Sequence, residues 1–280
     1  MRIIFVADVF VEDGILGGGE LNNDEFINLV SKQNIDIEKI SSALVTPEYI
    51  EQNLDARFLV ANFIGLSEEC KTVLASRAKY GIYEHDHKYL ITRNPSNYEN
   101  FIAPEAHLTN IEFYKNATAV FCQSKLHSEI VEKNLKTNNI INLGGNLWSE
   151  DALEIIEEIS KKKKQKKYSI LDSSIEHKNT ADALRYCRAK NLDYQLIKSN
   201  NYGVFLNMLG SNEAFVFFPK TAETLSRVLV EARMMGCKTI TSGPIGALSE
   251  EWFKLKGQEL IDYMRDKKQK IVEIVMINLE

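Results

Sequence analysis

The chain is poor in the residues that staple or punctuate a fold: four cysteines, five prolines and two tryptophans in 280 residues. Cys70, Cys122, Cys187 and Cys237 stand apart with no C-x-x-C pair. That argues against a disulfide framework or a zinc knuckle and for reduced thiols in a cytosolic compartment. No apolar run approaches the roughly 18 residues of a membrane-spanning helix. The first apolar stretch, starting at Ile3, meets an acid at Asp8, too early for a signal peptide. Positive charge is also lacking, with 39 acids against 34 bases and a net charge of −5. This excludes broad coating of nucleic acid, while a local basic groove stays open. The expected location is cytoplasmic, with attachment to a membrane surface left open.

What is there is the balance of an ordinary folded protein, 44% apolar and 26% charged. At about 150 residues per domain the length predicts two domains. Ile3 to Val9, Arg57 to Phe63, Tyr80 to Glu84 and Thr118 to Cys122 read as buried strands. Helical patterns run over Glu20 to Lys32, Ser67 to Ala78, Ala103 to Lys115 and Lys125 to Asn134. The alternation then restarts: helix Ser149 to Ser160, strand Tyr168 to Leu171, helix Asn179 to Lys190, strand Tyr194 to Ile197, short helix Val204 to Leu209, strand Ala214 to Phe218, helix Thr224 to Met235 and strand Lys238 to Thr241. Leu260 to Leu279 reads as a terminal helix with a strand as an option at its end. Continuously apolar strands separated by helices predict parallel sheets covered on both faces, an α/β fold. The expected division is residues 1–146 and 147–280. Lys161 to Lys167, six lysines in seven residues, reads as a solvated helix end and exposed connection, with an anionic-surface patch as the alternative.

The stretch Phe217 to Ile240 is the most informative. It predicts a buried strand, a turn at Pro219, and a helix capped by Thr221 or Thr224 and closed by Gly236. Glu223 at the helix entrance would place Glu231 about 12 Å along the same face. A helix start at the carboxyl end of a parallel strand offers N–H groups to an anion, and carboxylates beside it accept hydrogen bonds from sugar hydroxyls. This suits a nucleotide diphosphate sugar. Two glutamates on a solvated helix are the bland alternative, weakened because Glu231 sits in the apolar run Val228-Leu229-Val230-Glu231-Ala232 and so calls for a partner.

This segment resembles the Glu-x7-Glu signature of retaining glycosyltransferases of the GT-B fold, especially glycosyltransferase family 4. The resemblance implies two Rossmann-like domains facing across a cleft, the first on the acceptor side and the second binding the donor. It implies that Glu223 contacts the transferred sugar and Glu231 the ribose, with Thr224 and Gly246 also donor-binding. Gly17-Gly18-Gly19-Glu20 is similar to the family's Gly-Gly-x-Glu loop, which places Gly18 and Gly19 at the donor and Glu20 toward the acceptor. Lys178 matches the lysine that neutralises the diphosphate, while Ser173 stands where the family carries arginine. His85, in Tyr83-Glu84-His85-Asp86-His87, falls near the family's histidine at the reacting sugar. His87 and Asp8 are assigned to the acceptor side, although acids at strand ends are common. The two histidines also raise a metal site, ranked second and just ahead of a surface loop, because His85 and His87 on a strand would share a face only marginally, no third ligand follows closely, and the family generally uses no bound metal. Trp148, Tyr202 and Trp252 read as packing groups rather than stacking platforms.

The function expected from the resemblance is transfer of a sugar, with retention, to a carbohydrate, lipid-linked or small-molecule acceptor. No cofactor is expected beyond the nucleotide sugar as co-substrate. A modified nucleobase as acceptor, motivated by the lysine run, and a non-catalytic nucleotide-sugar binder, motivated by Ser173, are the rivals.

Overall fold

Strand β1 (Arg2–Ala7) shows why the first sheet must be covered twice. Its side chains alternate across the strand: Ile4 and Val6 join one apolar cluster, Ile3, Phe5 and Ala7 the other. The same division recurs in β3 (Arg57–Val60), β4 (Lys79–Tyr83) and β5 (Ala119–Cys122). A run apolar at every position is stable only with cover on both faces.

The structure is a computed structural model that describes residues 1–14 and 17–280. It divides into one unit of Met1–Leu147 with Lys268–Glu280 and a second of Trp148–Lys267. The last segment, expected in the second domain, thus belongs to the first. In the first unit β2 (Asp36–Ser41) and β6 (Ile140–Asn142) flank the sheet, whose order is β2-β1-β3-β4-β5-β6 with every pairing parallel. The connections carry α1 (Gly18–Ser31), α2 (Pro47–Glu51), α3 (Glu68–Arg77), α4 (Ile111–Lys115) and α5 (Lys125–Leu135). Ser67 and Ser124 cap α3 and α5 through their hydroxyls, each accepting an N–H three residues on.

The second unit opens with α6 (Glu150–Ser160), capped by Ser149. Its sheet has the order β10-β9-β7-β8, again all parallel, from β7 (Gln165–Leu171), β8 (Tyr194–Ile197), β9 (Asn212–Phe217) and β10 (Lys238–Thr241). Helices α7 (Thr180–Ala189), α8 (Tyr202–Gly210) and α9 (Arg227–Met234) make the crossovers. The last helix, α10 (Gln258–Leu279), is unbroken, with no strand at its end.

Four further expectations change. Strand β2 was not foreseen, because it is a half-exposed edge whose acids and lysine break any apolar pattern. The short α2 was missed as well. Between 103 and 115 only Ile111–Lys115 is α-helical. Leu108 pairs antiparallel with Leu90, and Asn110 turns at φ 55 while donating from Nδ2 to the Lys88 carbonyl at 2.8 Å. The helix expected from Thr224 begins at Arg227, after Ser226 at φ 73, and neither threonine caps it. Gly236 does close it in the left-handed region, at φ 80.

The lysine run splits in two. Lys164 donates to the carbonyls of Ile159 and Gly210, at the ends of α6 and α8, while Lys161, Lys162, Lys163 and Lys166 are exposed and strand β7 has begun by Gln165. Among the described residues no helix is long and apolar enough to cross a membrane.

Candidate functional site

In the second unit three loops leave the carboxyl ends of neighbouring strands β7, β9 and β10, the edge where parallel sheets bind ligands. Backbone bonds stitch them together. The Lys220 N–H donates to the His177 carbonyl at 2.8 Å, and Asn179 Nδ2 donates to the Phe218 carbonyl at 2.7 Å. Glu223 forms a parallel bridge to Ile245, donating to Pro244 O at 3.0 Å and accepting from the Gly246 N–H at 2.8 Å. On this platform Lys178 Nζ lies 2.8 and 3.1 Å from the two carboxylate oxygens of Glu223. The pair is partly open to solvent, with side-chain exposures of 28% and 10%.

Glu231 is buried beneath a different set of donors. Its Oε1 accepts from Arg227 Nε at 2.8 Å, Trp148 Nε1 at 3.0 Å and the Tyr202 hydroxyl at 2.6 Å. Arg227 Nη2 also donates to the Tyr202 hydroxyl at 3.2 Å, and its guanidinium lies 4.6 Å from the Trp148 ring centre. Both charges are nearly closed off, Glu231 at 2% and Arg227 at 8% exposure. Two charges taken out of water demand each other and their remaining hydrogen bonds.

In the first unit Gly17 caps α1, and Gly18 and Gly19 form its first turn. A Cβ on Gly19 would stand 3.5 Å from His85 Cγ, so the glycine loop and the histidine after β4 meet. Glu20 Oε1 accepts from Asn62 Nδ2 at 3.4 Å. The His85 ring stacks on Tyr83 at 5.1 Å between centres. Its Nε2 faces Asn23 Oδ1 at 2.8 Å and its Nδ1 faces Gln123 Nε2. An amide N–H on one side and an amide oxygen on the other fit the neutral Nε2–H tautomer. Burial, reinforced by the Lys88 ammonium, pushes its pKa down to about 4.

The turn that presents His85 is anchored by Glu84. This buried carboxylate accepts from the His85 N–H at 3.0 Å, the Asp86 N–H at 2.9 Å, Lys88 Nζ at 3.3 Å and the Tyr114 hydroxyl. Burial raises its pKa, but Lys88, Tyr114 and the backbone N–H outweigh it and hold the carboxyl at about 2.

No family model matches this chain, and no curated protein matches it in sequence. Solved structures match its fold along nearly the whole length. Anabaena HepE in complex with UDP superposes with a TM-score of 0.55 at 13% identity, over 100% of this chain and 93% of that one. The UDP-forming α,α-trehalose-phosphate synthase of Burkholderia xenovorans gives 0.53 at 8% identity, over 99% and 98%. An α-glucosyltransferase in complex with UDP and a DNA 13-mer containing an HMU base gives 0.50 at 12%, over 98% and 90%. The fold is GT-B.

Glu231 lies within α9, and the other sequence-derived candidates of each unit follow the carboxyl ends of strands. Asp8 lies there, but its carboxylate holds the fold: Oδ1 accepts from the Gly65 N–H at 3.0 Å and the Ser42 hydroxyl, Oδ2 from the Ile64 N–H at 3.1 Å. His87 does not face an acceptor; at φ 59 its ring turns inward, 2% exposed, onto His127 and the Tyr89 hydroxyl. Thr224 stands ahead of the helix rather than at its start. Trp148 and Tyr202, read as packing groups, are packing groups with a polar task. Asn23 and Gln123, which clasp His85, were missed because nothing local marks them. Arg227 was missed although it stands four residues before Glu231, the spacing of a helical ion pair. Among the described residues no group of three or more His, Cys, Asp or Glu side chains could hold a metal ion.

The buried histidines make the first unit acid-sensitive. His85 stays neutral down to about pH 4, whereas an unfolded histidine protonates near 6.5. Stability from this group is complete above pH 6.5 and is lost as pH falls through about 4, a change of about 3 kcal/mol. His127, pushed down by burial and by His87, acts in the same direction. Urea titrations followed by far-UV circular dichroism should show the midpoint falling between pH 6.5 and 4, and a flat profile would contradict the buried neutral ring.

Proposed function

We propose that this chain is a glycosyltransferase that moves a sugar from a nucleotide-diphosphate sugar to a carbohydrate, lipid-linked or small-molecule acceptor, with retention of anomeric configuration. The observation that carries the reading is the Lys178–Glu223 pair at the carboxyl ends of β7 and β9, on a GT-B chain whose neighbours include proteins in complex with UDP.

In this reading Lys178 meets the diphosphate and Glu223 the sugar hydroxyls. The bond from the anomeric carbon to the phosphate oxygen breaks, and a bond to the acceptor oxygen forms. The acceptor proton is released, and the nucleoside diphosphate leaves with the added charge. Lys178 and the Gly246 loop stabilise that charge in a preorganised setting. Glu231 sits at the ribose, with Arg227, Trp148 and Tyr202 fixing its carboxylate. His85, held neutral with both ring nitrogens engaged by Asn23 and Gln123, is not an acid–base group at pH 7. Glu20 lies toward the acceptor. The nucleotide sugar is the co-substrate, and no metal or other cofactor has a part.

Thermal shift with UDP, GDP, ADP and their sugars tests the reading. A nucleoside diphosphate at 100 times its dissociation constant stabilises by about 2.7 kcal/mol. The expected result is a shift with one base and slow release of free sugar from its nucleotide sugar. No shift with any nucleotide would count against the whole reading, and a shift without sugar release or transfer would favour a binder.

A second reading keeps the enzyme and makes the acceptor a modified base in DNA. Exposed Lys161, Lys162, Lys163 and Lys166, and the DNA-bound α-glucosyltransferase among the neighbours, favour it. Salt-dependent binding of oligonucleotides would support it, and absence of binding at low salt would remove it.

A further inference from the structure

We propose that Lys220 is a second cation of the site around Lys178 and Glu223, and that it meets the phosphate next to the sugar of a bound nucleoside diphosphate sugar. The inference rests on the reading above and identifies the residue that supplies its remaining positive charge.

The need follows from the charges on the stitched loops. Residues 172–179, 218–226 and 242–245 carry the acids Asp172, Glu176 and Glu223 against Lys178 and Lys220. His177 adds no cation near neutral pH, since burial and then the neighbouring Lys178 push its pKa down. Lys178 is already engaged by both oxygens of Glu223. A diphosphate brings about two further negative charges to this edge, and without Lys220 it would meet three carboxylates and one committed lysine.

The geometry gives Lys220 the place. Its N–H donates to the carbonyl of His177, the residue before Lys178, at 2.8 Å. Two residues upstream, the Phe218 carbonyl accepts from Asn179 Nδ2, the residue after Lys178, at 2.7 Å. Both loops are therefore clamped on either side of the Lys178 position, and Lys220 emerges beside it. The Lys220 side chain is lightly held. It is 51% exposed and reaches Glu176 Oε1 at 3.5 Å, on a carboxylate that is itself 90% exposed. Surface pairs of this kind bind an ammonium weakly, so an incoming phosphate outcompetes Glu176. The backbone fixes where the lysine starts, and the side chain supplies the charge.

The test is calorimetric titration of the whole chain. Wild type titrated with UDP, GDP and ADP identifies the diphosphate bound best. That diphosphate and its monophosphate are then titrated into wild type, Lys220→Gln, Lys220→Arg and, as a control on the exposed lysine run, Lys162→Gln. A charge-assisted phosphate contact predicts that Lys220→Gln weakens the diphosphate by about tenfold or more and the monophosphate by less than about twofold. Lys220→Arg keeps most of the affinity, and Lys162→Gln matches wild type. Because the stitching uses the Lys220 backbone, the glutamine variant should melt like wild type. Unchanged diphosphate affinity in Lys220→Gln, or equal weakening of both nucleotides, overturns the role of Lys220 alone. A wild-type chain that binds none of the three diphosphates overturns the nucleotide-sugar reading and this inference together.

Discussion

Glu84→Ala should cost about 3–5 kcal/mol of stability in the first unit, since removing one partner of a buried pair leaves the other charge uncompensated. Four donors converge on the Glu84 carboxylate, and the Lys88 side chain beside it is 3% exposed. Asp86 keeps Lys88 partly paired but is itself 42% exposed, so it cannot replace a buried carboxylate. The alanine variant also strands the Tyr114 hydroxyl and two backbone N–H groups. Glu84→Gln, which keeps an acceptor for the N–H groups and loses only the charge, should fall between alanine and wild type. Both tryptophans, Trp148 and Trp252, lie in the second unit. The loss should therefore appear first in far-UV circular dichroism, and in tryptophan fluorescence only if the two units unfold together. A loss below about 1 kcal/mol would mean the pair is solvated rather than buried.

The second large effect is at Glu231. Glu231→Ala should also cost about 3–5 kcal/mol, by leaving the Arg227 guanidinium buried against Trp148 without the carboxylate it pairs with. Urea unfolding followed by tryptophan fluorescence reads this directly, because Trp148 Nε1 loses its acceptor in the same step. The alanine variant thus mixes folding with any effect on donor binding. Glu231→Gln retains an acceptor for the indole and the tyrosine and is the better probe of ribose contact. The double variant Arg227→Met with Glu231→Leu should recover most of the lost stability, as apolar replacements of buried ion pairs often do. If Glu231→Ala unfolds at the wild-type urea midpoint, the buried network is not what holds α9 in place.

Much of the architecture was legible because it is written in local patterns. Apolar runs such as Ile3 to Val9 and Thr118 to Cys122 announced parallel sheets, and the helical patterns opening at Ser67, Lys125 and Ser149 fell on α3, α5 and α6. Edge strand β2 was not legible, because a half-exposed edge strand is free to carry Asp36, Glu38 and Lys39. The start of α9 was misplaced for a related reason. Thr221 and Thr224 look like caps, but the bridge between Glu223 and Ile245 keeps the chain extended there. That bridge depends on a loop some twenty residues downstream, which no local rule sees.

The sequence by itself determined the α/β class and the two sets of elements, and it singled out Lys178, Glu223, Glu231, His85 and the glycines at 18 and 19 as candidates. Residue type and periodicity are local properties, and they survive without coordinates. Only the tertiary structure decided what those groups do to one another. It brought Lys178 within 2.8 Å of Glu223 across 45 residues of chain. It locked Glu231 under Arg227, Trp148 and Tyr202, held His85 neutral between Asn23 and Gln123, and turned His87 inward. Burial and partner distance set charge state and hydrogen bonding, and both are fixed by which strands lie side by side in the sheet.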